Sequence, residues 1–195
     1  MKDQIDSYID SQIKTLQDLK KHTATIEKIG KKLLEAREAG NTIYIMGNGG
    51  SASTASHMAC DLLKSAIDQG KSRFKVISLT DNTAVFSAWA NDTSYDMVFE
   101  EQLKNFLTEK DIVIAISGSG NSPNILKAID FANKTGAYTI GLTGMGGGKL
   151  AKTAKLSLIV PNDNMWRVED IHLLLNHLFV SVFLGDRYQP PVKSK

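Results

Sequence analysis

A doubly wound α/β domain, five parallel strands covered by helices and preceded by an N-terminal helical arm, is the fold this sequence predicts. Short, nearly continuous apolar runs rich in β-branched residues recur five times from residue 42 onward. Helix-type stretches separate them. Strands buried on both faces read as unbroken apolar runs, and their alternation with helices makes the sheet parallel. The length of 195 residues suits one domain with an added element.

Residues 1–38 come first as the arm. Between residues 3 and 38 glycine and proline are missing apart from Gly30, and apolar residues recur at Ile5, Ile9, Ile13, Leu16 and Leu19, then at Ile26, Ile29, Leu33 and Leu34. That is a helical period, two helices meeting near His22–Thr25, with an apolar stripe suited to packing on the domain or on a copy of the chain. Residues 39–186 form the domain. Its strands are expected over Thr42–Met46, Phe74–Leu79, Asp111–Ser117, Tyr138–Thr143 and Lys155–Val160. Helices are expected over Ser51–Asp68, Thr93–Leu107, Ser122–Thr135 and Lys149–Ala154, with a last one over Met165–Leu184. Residues 187–195 read as a loose tail.

Composition narrows the function. A formal charge of +2 gives no reason to expect nucleic acid or an anionic membrane as partner. The single cysteine, Cys60, excludes an intrachain disulfide and fits a reducing compartment. The start has no apolar signal core, and no run reaches the roughly 18 apolar residues of a membrane span. A cytoplasmic protein is expected.

Ligands of such sheets bind beyond the carboxyl ends of the strands, and two loops there resemble each other. Gly47-Asn48-Gly49-Gly50-Ser51-Ala52 follows the first strand, and Ser117-Gly118-Ser119-Gly120-Asn121-Ser122 follows the third. Glycines let backbone N–H groups turn toward an anion, the following helix adds partial positive charge, and hydroxyls donate further bonds. A phosphate is the expected ligand, held without a basic side chain in either loop. The first loop also fits G-x-G-x-x-A, but the acidic residue a dinucleotide needs comes late, at Asp81. A P-loop would need a lysine that neither loop has.

His57 and Asp61, four apart on one helix, share a face. Glu169 and His177, eight apart on the last helix, can share a broad one. Either pair alone is most often a solvated face. Together they suit a divalent ion with nitrogen and oxygen ligands, zinc being the commonest. His172 lies about 140° round the helix from His177 and reads as a structural histidine.

GNGGSASTASH, ISGSGNSPNILKAI and IGLTG resemble the sugar isomerase (SIS) domain family. The spacing from GNGGSAS to His57, with the ending R-x-E-D-x-H-x4-H, resembles its phosphoheptose isomerases over nearly the whole chain. The resemblance implies a flavodoxin-like sheet and aldose–ketose isomerisation, sedoheptulose 7-phosphate to D-glycero-D-manno-heptose 7-phosphate. It implies that Ser117, Ser119 and Ser122, with Gly118, hold the phosphate. Asn48, Gly49, Gly50 and Ser51 would contact the sugar, as would Asp92 and Glu169. It further implies a metal on His57, Asp61, Glu169 and His177, proton transfer by Asp61 and His177, and a homotetramer. Asp61 stands where the family commonly has glutamate, Glu169 where it has glutamine, and Ser65 where an arginine often follows. Asp61 loses about 1.5 Å of reach, and its part as base, ligand or both stays open. The alternative is a non-catalytic sugar-phosphate sensor or a replication-initiator-associating protein of the same fold.

Overall fold

The near-continuous apolar runs form the middle of the protein. In the computed structural model, residues 1–185 are described; the expected tail lies outside the described residues. Strands β1 (Thr42–Gly47), β2 (Lys75–Ser78), β3 (Ile112–Ser117), β4 (Tyr138–Thr143) and β5 (Leu156–Ile159) make one parallel sheet in the order β2-β1-β3-β4-β5. Each lies within two residues of its expected position. The helices are α1 (Lys2–Leu19), α2 (Thr23–Ala39), α3 (Gly50–Cys60), α4 (Thr83–Asp92), α5 (Glu100–Lys104), α6 (Pro123–Thr135), α7 (Leu150–Thr153) and α8 (Met165–Leu184).

Successive strand residues point to opposite faces, which divides the core in two. Ile43, Ile45, Ile112, Ile114 and Ile140 pack under α2, α3 and α8. On the other face Tyr44, Met46, Val113 and Ala115 pack under α4, α5, α6 and α7. The arm segment divides accordingly. α2 buries Ile29 and Leu33 to 1% and 0% exposure, so it is a layer of the domain. α1 runs against α8, where Arg167 stacks 3.4 Å from the Tyr8 ring centre, and against the loop before α8, where Asn162 Nδ2 donates to Thr15 Oγ1 at 2.6 Å.

Two helices differ from expectation. Between β2 and β3 the sequence pattern places one helix over Thr93–Leu107; the chain instead forms α4 before that stretch, a 3-10 turn at Tyr95–Met97, and the short α5. Asn82 caps α4 by accepting the Val85 N–H. The polar run Asn91–Ser94 ends it, with Thr93 Oγ1 bonding back to the Trp89 carbonyl at 2.6 Å. The helix expected over Ser51–Asp68 changes at Asp61 into a π turn, Asp61–Ser65, in which the Ala66 N–H reaches the Asp61 carbonyl. Such wide turns inside helices often mark functional sites.

Candidate functional site

β1 and β3 are neighbours, but the helices that follow them, α3 and α6, lie on opposite faces of the sheet. Their loops therefore diverge and leave a crevice, the switch point at which doubly wound sheets bind ligands. A cleft of about 310 Å³ opens there. Asn48, Gly49, Gly50 and Ser51 line it from one loop, and Ser117, Gly118, Ser119 and Ser122 from the other. Glu169 closes it from α8. Asp92 does not line this cleft; it is exposed at the end of α4, bonded to Asn91 Nδ2 at 2.8 Å.

The serine loop is internally ordered. Ser117 Oγ accepts the Gly120 N–H at 3.2 Å and lies 3.4 Å from Ser122 Oγ. Ser122 occupies the N-cap position of α6 without a side-chain capping bond, and Pro123 follows at the first helical position, where a missing N–H costs nothing. The first turn of α8 sits tightly over the strand-end loops. A Cβ at Gly118 would stand 2.3 Å from Met165 Sδ, and one at Gly144 would stand 2.3 Å from Val168 Cγ2.

Two residues bonded to the cleft residue Asn48, Asn124 and Tyr95, escaped the sequence reading. Asn48 and Asn124 exchange reciprocal amide hydrogen bonds at 2.9 Å, tying the first loop to the start of α6. The Tyr95 hydroxyl also donates to Asn48 Oδ1, at 3.0 Å. Asn124 stands among apolar residues of α6 with 1% exposure, so a polar interruption of an apolar helix face was its available signal. Tyr95 left none.

Beyond the cleft, α3 packs against α8 and brings three expected residues together. His57, Asp61 and His177 each offer one ligand atom within 4.8 Å of the others. Asp61 Oδ2 lies 3.3 Å from His57 Nε2 and 3.8 Å from His177 Nε2, and the two imidazole nitrogens are 3.4 Å apart. Glu169 stands outside this cluster, its carboxylate beside Gly50 in the cleft. Eight residues turn a helix by about 80° beyond two full turns, which sends Glu169 and His177 to different neighbours.

Asp61 is held at both oxygens. Ser65 Oγ donates to Oδ1 at 3.0 Å, and Asn176 Nδ2 donates to Oδ2 at 2.9 Å. Asn176 is 1% exposed, and its Oδ1 is buried without a partner. An unsatisfied buried acceptor costs about 1–3 kcal/mol. Neither Asn176 nor the hydrogen-bonding part of Ser65 was foreseen.

His172 is structural in its placement, 1% exposed with Nε2 3.3 Å from the Thr143 carbonyl oxygen. Burial pushes its pKa down to about 4, against a smaller upward pull from that carbonyl. The unfolded chain, with a histidine near pH 6.5, binds the proton first as pH falls. Stability is therefore lost between about pH 6.5 and 4, by roughly 3 kcal/mol at the lower end. Urea unfolding across that window should show the slope, and His172→Leu should flatten it. An unchanged slope in the variant would assign the acid sensitivity to other groups.

Geometry of this kind defines an α/β domain built to hold a small ligand at a strand-end switch point. A family model described as SIS domain matches residues 7–144. Phosphoheptose isomerase 1 of Campylobacter jejuni is 37% identical over 157 residues, 80% of this chain and 84% of that one. Solved phosphoheptose isomerases superpose closely. The one from Neisseria gonorrhoeae has a TM-score of 0.86 at 27% identity, covering 93% of this chain and 97% of that one. The one from Francisella tularensis has 0.85 at 29% identity, with 93% and 96% covered. The chain belongs to the SIS domain family and, within it, to the phosphoheptose isomerases. Among the described residues no helix is long and apolar enough to cross a membrane.

Proposed function

We propose that this protein isomerises sedoheptulose 7-phosphate to D-glycero-D-manno-heptose 7-phosphate. The observation that carries this is one helix serving two sites: α8 places Glu169 in the cleft and His177 in the histidine–carboxylate cluster. Those residues are separated by roughly 12 Å of helix axis, which suits an elongated substrate with an anionic end and a reacting end. Ser117, Ser119, Ser122 and the loop N–H groups take the phosphate. Asn48 and Ser51 take sugar hydroxyls, with Glu169 accepting from others.

At the reacting end one group removes the proton from C1 of the ketose, giving a C1–C2 enediol or enediolate. A proton is then delivered to C2 while the hydroxyl proton passes from O1 to O2, so that carbon oxidation at C1 balances reduction at C2. We assign these transfers to His177 and Asp61. His57, Asp61 and His177 also fit a divalent ion, zinc above all, because three nitrogen and oxygen donors leave a position open for substrate. Such an ion supplies polarisation of the substrate oxygens when bound. Asp61 Oδ2, facing both imidazoles, orients them in either case. Retention of this donor set favours an enzyme over a sensing module.

The assembly we assign is a homotetramer in the cytoplasm. Ile5, Ile9 and Ile13 form a stripe on α1 that is 52%, 50% and 47% exposed in the single chain, and closed symmetry is the usual way to cover one. A solution mass of one chain, 21.3 kDa, would end that assignment. NMR of sedoheptulose 7-phosphate incubated with the protein, with and without zinc, tests the activity: new aldose signals are expected, and an unchanged ketose spectrum in both samples overturns it.

A further inference from the structure

We propose that Asn176 is a positioning residue for Asp61, matched to the short carboxylate that this chain carries. The proposal rests on the isomerase reading for its kinetic consequences and on the structure alone for the clamp itself. Asn176 lies on the core side of α8 between the buried Leu175 and Phe179, where an aliphatic side chain would leave no polar atom stranded. Its amide has one hydrogen bond, to Asp61 Oδ2 at 2.9 Å, and its carbonyl oxygen has none. With the amide reversed, that oxygen would face a carboxylate oxygen and the two would repel. The amide orientation is thereby fixed by Asp61.

The reverse constraint also holds. Ser65, one π turn on, donates to the other carboxylate oxygen at 3.0 Å. Two neutral donors on two different helical segments thus set both the depth and the rotation of the carboxylate. They aim Oδ2 at His57 and His177. A glutamate at this position would carry its carboxylate one methylene past the Asn176 amide. Asn176 is useful to an aspartate and idle beside a glutamate.

Asn176→Leu should lower kcat for the sugar phosphate by about 10–100-fold, the usual cost of losing a partner that orients a ligating or reacting group. KM should stay within about threefold, because the serine loop is untouched. In an Asp61→Glu background the same substitution should change kcat by less than about threefold, the non-additivity expected of a matched pair. An unchanged kcat in Asn176→Leu, or equal losses in both backgrounds, overturns the proposal. If the leucine prevents folding, Asn176→Ser, too short to reach Asp61, carries the same comparison. A crystal structure of the variant reads the clamp without turnover: the Asp61 carboxylate should be rotated or split between rotamers, and one left in the wild-type position overturns the proposal. Should the wild-type chain prove inactive, the isomerase reading fails by itself and the crystal structure decides the clamp.

Discussion

His177→Ala and Asp61→Ala should each lower kcat by about 10²–10⁴-fold, the range for loss of a general acid or base, while phosphate affinity should stay near wild type. The separation has a structural reason. Both residues belong to the cluster between α3 and α8, whereas the hydroxyls assigned to the phosphate sit on the loop after β3. Folding should survive both changes. The His177 side chain is 58% exposed, so truncating it removes little packing. The Asp61 side chain is only 14% exposed, and its loss strands the Asn176 amide. About 1–3 kcal/mol of stability should go with it. Steady-state kinetics paired with thermal melting separate the two effects. Full activity in either variant removes that residue from proton transfer.

Gly120→Ala has the largest effect expected of any loop substitution. Gly120 has φ of +62°, a conformation that costs a residue with a Cβ about 1–2 kcal/mol. The added Cβ would also stand 2.1 Å from the Gly147 carbonyl oxygen, far inside contact distance. Gly147 cannot step aside freely, because its N–H bonds the Gly144 carbonyl at 2.8 Å while the Leu150 N–H holds the Gly120 carbonyl at 2.9 Å. The serine loop must therefore shift, and the Gly120 N–H leaves Ser117 Oγ. A stability loss of about 3 kcal/mol or more, a fall in Tm of about 6–12 °C, should accompany loss of measurable phosphate binding. Ser119→Ala is the contrast: it removes one donor without moving backbone and should weaken binding by about 2 kcal/mol. Calorimetric titration of both variants checks the order. Wild-type affinity in Gly120→Ala would show that the loop is not the phosphate cradle.

Local signals were legible and distant pairings were not. The five strands announce themselves because β-branched runs buried on both faces have no other comfortable home. His57 and Asp61 could be placed on one face because four residues of helix suffice to do it. The meeting of His57 with His177 depends on how α3 packs on α8, across 120 residues of chain. Tyr95 and Asn124 reach Asn48 over 47 and 76 residues, and Asn176 reaches Asp61 over 115. No periodicity records such partners. α4 was missed because its capping signal, Asn82, precedes a stretch without a strong apolar stripe; none of its residues is fully buried.

The seating of the first turn of α8 over the strand-end loops has a consequence for the order in which the protein comes into being. Met165, Val168 and Glu169 follow the entire sheet in the chain, and His177 follows them. A nascent chain leaves the ribosome from its N-terminus and begins to fold as it emerges. Both glycine-serine loops are then already outside while the groups that close the cleft are still being made. Until α8 docks, the molecule has both glycine-serine loops but neither the Glu169 wall nor the second imidazole. The cleft and the histidine–carboxylate cluster are therefore completed together, by the last helix to be translated of those described.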